Sequence, residues 1–162
     1  MMVTIDRYRS DDMAANGLPL TWTTLMPILG SVTATKTIIP IPIAISLGAI
    51  PGALSRYYVT LLAARGFGTQ FPYGTFIINL TGACMMGFFV TLTAQFVAPP
   101  DLHPLIAVGF LGSYTTFSTY ALDTSNLLRT REYGTALFYW AGSAILGFLS
   151  LELGVILART LL

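Results

Sequence analysis

The stretch Gly109-Phe110-Leu111-Gly112-Ser113-Tyr114-Thr115-Thr116-Phe117-Ser118-Thr119-Tyr120 decides how this chain folds. It lies inside an otherwise apolar segment, Pro104 to Leu128, that is long enough to cross a bilayer. Yet two of its residues are glycine and five are Ser or Thr. Glycine weakens a helix through backbone entropy, and Ser and Thr offer the main chain competing hydrogen bonds. In hydrocarbon, freed backbone groups persist only where protein or a water-filled cavity satisfies them. The pattern predicts a transmembrane helix interrupted mid-span, its break lining something polar. The competing reading is a continuous helix whose small residues let neighbours pack closely.

The composition around this stretch points the same way. Of 162 residues, 54% are hydrophobic and only 9% charged, with a mean hydropathy of +0.72. Average soluble domains carry about 25% charged residues, so the chain reads as an integral membrane protein. The net charge is +1, and no basic stripe offers itself to nucleic acid. One cysteine, Cys84, and one histidine, His103, exclude an intrachain disulfide, a cysteine cluster and a multi-histidine metal site. Cys84 reads as buried filler and His103 as a loop residue. No Gly-rich phosphate loop with a Lys-Ser/Thr pair is present, so no nucleotide is expected.

Outward from the broken segment, four apolar spans are expected, at about 38–64, 75–97, 104–128 and 133–161. Prolines at 40, 42 and 51 predict an irregular first half for the first span. Residues 1–36 form a separate tail, disordered or lying on the membrane surface, and 37–162 the four-helix membrane domain. The tail lacks the charged region, long apolar core and small-residue cleavage site of a signal peptide. Met13 and Met26 are alternative starts. Short connections make consecutive spans antiparallel neighbours, and four spans put both termini on one side. That side carries Arg7, Arg9, Lys36 and Arg159, the other Arg65, Arg129 and Arg131. So even a distribution gives the positive-inside rule almost nothing to act on. It is either a weak topology signal or a sign of dual topology, with copies inserted both ways and paired as an antiparallel dimer.

Polar side chains within spans are expensive and ask for a partner or a task. Asn79 shares a small-residue helical face with Ala83 and Met86, and reads either as interhelical glue or as a donor to an anion. Tyr139, Ser143 and Gly147 recur at a spacing of four and line one face of the last span. Their hydroxyls donate either to a neighbouring helix or to an anion. Phe117 and Tyr120 share a face just after the expected break; ring edges are positive and favour an anion while excluding water. Arg56 supplies positive potential or reaches interfacial carbonyls. Asp123 is expected to cap a helix or pair with a basic residue. Glu152 is the carboxylate a proton-coupled site would use.

Taken together, these residues resemble the Fluc (CrcB) family of fluoride channels. The likeness runs from about Gly48 onward. It rests on Gly52-Ala-Leu-Ser-Arg56-Tyr57, Gly74-Thr75 with Asn79, Gly109-Phe-Leu-Gly112 followed by Thr115-Thr-Phe-Ser-Thr119, and the face of Tyr139, Ser143 and Gly147. The resemblance implies an antiparallel homodimer of four-helix subunits in the cell membrane. Two fluoride pores would lie at the subunit boundary and a structural sodium at the dimer centre. By motif position, the sodium's backbone carbonyls fall on Gly112 and Thr115. The pore aromatics fall on Phe117 and Tyr120, the pore asparagine on Asn79, the hydroxyl track on Ser118, Thr119, Tyr139 and Ser143, and the first-helix arginine on Arg56. The chain departs from the family at Tyr120, where a second phenylalanine is usual, at Ser113 in place of glycine, and at Asp123 in place of glutamate.

Fluoride is small and strongly hydrated, so a membrane path must replace its water with N–H and O–H donors while binding loosely enough for exit. Many modest donors and no buried lysine suit that demand. The expected function is therefore passive fluoride export, without catalysis. Two other readings are a small dual-topology proton-coupled exporter, which would depend on Glu152, and a non-conducting assembly subunit, which would leave the polar break unexplained.

Overall fold

The computed structural model describes residues 39–95 and 98–162, so the expectation for the tail at 1–36 lies outside the described residues. The described chain is all α-helical. Helix α1 is Ile41–Phe67 and α2 is Tyr73–Gln95. Helix α3 is a π-helical run, Pro104–Leu111, that continues as Gly112–Tyr114. After two extended residues, α4 spans Phe117–Arg129, and α5 spans Tyr133–Thr160. Helices α3 and α4 are thus two halves of one crossing, making a bundle of four.

Among the described residues, three crossings are both long and apolar enough to span a membrane: Tyr73–Gln95, Pro104–Arg129 and Tyr133–Thr160. With α1 beside them, the chain is a multi-pass membrane protein. Helix α1 has the length, at 27 residues, but Ser55, Arg56, Thr60 and Arg65 make it less apolar.

The irregular start expected for the first span does not occur. Pro42 falls in the first turn of α1, where its missing N–H would have no helical acceptor in any case and its fixed φ suits a helix. The helix also runs through Pro51 without ending.

Packing follows two close pairs, α2 with α5 and α1 with α3. Ala44, Gly48 and Gly52, four residues apart, form the buried face of α1. A Cβ on Gly48 would strike the carbonyl of Leu105, and one on Gly109 the carbonyl of Ile45. The two backbones therefore touch directly, the small-residue packing that replaces hydrophobic drive inside a bilayer. Gly87 and Gly154 do the same for α2 and α5, against the carbonyls of Leu151 and Cys84. Long apolar side chains such as Leu54, Leu62, Phe148 and Ile156 point outward, as a lipid-facing surface requires.

Candidate functional site

The interruption falls at Thr115 and Thr116, both with extended backbone (φ −79°, ψ 159° and φ −150°, ψ 120°). A helix interrupted in hydrocarbon must rehouse the amides it frees, and here side chains take them. The Asn79 carboxamide clamps Thr116 at both ends: the Thr116 N–H donates to Oδ1 at 2.9 Å, and Nδ2 donates to the Thr116 carbonyl at 3.0 Å. One turn on, the Thr119 N–H donates to the Thr116 hydroxyl at 3.3 Å, a side-chain N-cap for α4. Asn79 thus acts as the glue between helices, and its second amide hydrogen is left over for a further acceptor.

These diversions have a consequence for main-chain oxygens. In a regular helix the Thr116 N–H would serve the carbonyl of Gly112, and the Thr119 N–H that of Thr115. Both donors go to side chains instead. Gly112 and Thr115 are the two carbonyls that the family resemblance assigns to sodium. Backbone oxygens released at a helix break are hard, neutral ligands of the kind that hold Na⁺ in membrane proteins, so the donor set fits the ion. Gly112 is exposed and Thr115 half-buried on the single chain.

Ser113, the departure from the family glycine, turns toward α1, its hydroxyl 3.0 Å from the Ala49 carbonyl and 3.1 Å from that of Phe110. Upstream, the π-helical turns end with the Gly112 N–H reaching the Ala107 carbonyl, five residues back.

Below the break lies a cavity of about 590 Å³. Asn79, Phe117, Tyr120 and Ser143 all line it. Phe117 is 79% exposed, and its ring sits 5.7 Å from that of Tyr120 at a 44° tilt. Ser143 is 9% exposed, and its hydroxyl oxygen has no hydrogen-bond partner. A buried hydroxyl without a partner is costly, and the Ser143 oxygen itself lies beneath the cavity surface that the residue helps to line.

The remaining expected site residues are elsewhere. Tyr139 is fully buried; its ring packs under Tyr120 at 5.4 Å and edge-on to Phe71 at 5.5 Å. Its hydroxyl donates to Asp123 Oδ2 at 3.3 Å. The same oxygen accepts from Thr75 at 2.7 Å, so Asp123 is held by two hydroxyls and not by the basic residue or helix cap expected for it. Ser118 and Thr119 cluster on the Thr116 hydroxyl at 3.2 and 3.1 Å, and neither lines the cavity. Arg56 is half-buried on α1 and does not line it either. Sequence reasoning passed over Thr124, Ser125 and Trp140, which also line the wall. The signal was available for the first two, one turn beyond Tyr120.

A helical multi-pass membrane protein with one crossing held open by side chains, beside a cavity rimmed by aromatics, is the class these features define. A family model described as CrcB-like protein, Camphor Resistance (CrcB) matches residues 43–155. The chain belongs to that family. It is 60% identical over 120 residues to a Fluoride-specific ion channel FluC of Trichormus variabilis, covering 73% of this chain and 88% of that protein. Proteins of the same name from Synechococcus sp. and Synechocystis sp. are each 52% identical, over 74% of this chain and 92% and 93% of theirs.

Proposed function

We propose that this chain is a passive fluoride-selective channel of the cell membrane, working as an antiparallel homodimer of subunits with α1 as a fourth crossing. The observation that carries this reading is the break at Thr115 and Thr116, kept open by Asn79 beside a cavity lined by Asn79, Phe117, Tyr120 and Ser143. A hydrated anion needs substitutes for its water. The second Nδ2 hydrogen of Asn79 and, once its side chain turns toward the cavity, the Ser143 hydroxyl supply them at one wall, and the edges of Phe117 and Tyr120 add weak positive character at the other. Ser118, Thr119 and Tyr139 then act one layer behind, orienting the break and Asp123. Arg56 contributes positive potential from α1. Family membership and the names of the relatives support fluoride as the ion.

Two further features support the paired subunit. Phe117 is a large ring left almost bare on the single chain, which a second copy would cover. Of the two residues with freed carbonyls, Gly112 is exposed and Thr115 half-buried, and two breaks related by a two-fold axis would present four oxygens to one sodium. That ion would supply fixed positive charge and a cross-link between the copies.

The test is efflux from fluoride-loaded liposomes carrying the purified protein. Flux that follows an imposed voltage and favours fluoride over chloride is expected. Flux that requires a proton gradient, or passes chloride equally well, would overturn the reading.

A further inference from the structure

Tyr120 is where this chain adds a hydroxyl to an aromatic wall, and the obvious role for that hydroxyl is as one more donor to the anion. The geometry assigns it another. The phenol donates to the main-chain carbonyl of Trp140 on α5 at 2.6 Å, short even for an O–H···O bond. A phenol has a single hydrogen to give, so while this bond stands the hydroxyl has none for an ion. The ring is held on two further sides, by Phe117 at 5.7 Å and by Tyr139 at 5.4 Å. We propose that the Tyr120 hydroxyl has a positioning role: it latches α4 to α5 and so fixes the ring that lines the cavity, and is not itself a ligand of the transported ion.

The latch bears on the halves of the broken crossing differently. Helix α3 is anchored by backbone contact with α1. Helix α4 follows the break, is short at 13 residues, and has Leu127 as its one buried residue. Its hold on α5 depends on a few side chains, of which Tyr120 and Asp123 make the polar links. A phenylalanine at 120 would fill the same space without fixing α4 against α5 at that height.

This inference rests on the proposed transport function, and its test separates the two. Tyr120→Phe, and replacement of Tyr120 by O-methyltyrosine or 4-aminophenylalanine, are compared in liposome flux. Removing the donor is expected to lower maximal fluoride flux by about 2- to 10-fold, the population a single net hydrogen bond controls. The concentration for half-maximal flux and the preference over chloride should stay as they were, and 4-aminophenylalanine, which keeps an N–H donor, should restore the rate. A raised half-maximal concentration or weakened preference in Tyr120→Phe would make the hydroxyl an ion ligand and overturn the latch. An independent reading comes from the infrared band of a ¹³C-labelled Trp140 carbonyl, with Trp22 replaced by Phe. The band should move to higher frequency in Tyr120→Phe; a band that stays put overturns the latch whether or not the protein moves fluoride. Absence of any fluoride flux in the unaltered protein would instead overturn the channel reading and leave the infrared result to decide the latch.

Discussion

Replacing Asn79 by Ala removes both ends of the clamp on Thr116 at once. The bonds are 2.9 and 3.0 Å long, and each contributes about 0.5–1.5 kcal/mol net. Two together amount to about 1–3 kcal/mol. Most of that cost falls on the stranded Thr116 N–H, because the Thr116 carbonyl, as the N-cap oxygen, keeps the first backbone bond of α4. The chain has one way to reduce that penalty: the Thr116 N–H can return to Gly112, closing the break into continuous helix. Both outcomes harm the site, one by destabilising the bundle and the other by erasing the opening above the cavity. Fluoride efflux from liposomes is expected to fall by about tenfold or more, the effect of ~1.4 kcal/mol on the population of the open break. Thermal unfolding in detergent should show a lower midpoint. Asn79→Asp keeps an acceptor for the Thr116 N–H but sets a second oxygen against the Thr116 carbonyl, so it should recover part of the stability and none of the flux. An Asn79→Ala protein that melts and conducts like the original would refute the claim that this side chain holds the break.

Three other outcomes are expected. Ser143→Ala removes a buried hydroxyl that has no partner, so the melting midpoint should hold or rise slightly while fluoride flux falls; unchanged flux would remove Ser143 from the path. Gly154→Leu forces a side chain into the Cys84 carbonyl and the Phe88 amide, and should destabilise the α2–α5 pair by about 1–3 kcal/mol or more, as overpacking does, read as a lowered midpoint and poor recovery of folded protein. Glu152 is exposed on α5, and Glu152→Gln should leave fluoride flux within about twofold, a change under ~0.5 kcal/mol; abolished flux would favour a proton-coupled exporter.

The helices of the bundle and the break were legible in the sequence because each depends on local chemistry. Hydropathy sets span length, and Gly, Ser and Thr in a row announce where a helix gives way. What holds the break was not legible, since Asn79 lies 37 residues from Thr116 and its shared face with Ala83 allowed either glue or donor. The position of Tyr139 shows a different limit. Spacing put it on one face with Ser143, and both are buried, but a phenol reaches far enough to leave that face, so its hydroxyl meets Asp123 while Ser143 meets the cavity. Pro42 misled because a proline's effect depends on register: at the first turn it costs nothing that a helix would otherwise have. The π-helical turns after Pro104 had no sequence signature.

The least apolar helix of the bundle, α1, also precedes the other described helices along the chain. Its principal neighbour, α3, is not made until some forty residues after α1 ends. The glycines that let the two backbones meet therefore bear on assembly: until α3 is made, α1 has only its narrower contact with α2, at Thr60 and Gly74, to rest on. Biogenesis of this bundle should accordingly be most sensitive to changes at Gly48 and Gly109, which would strand a helix that the bilayer alone holds poorly.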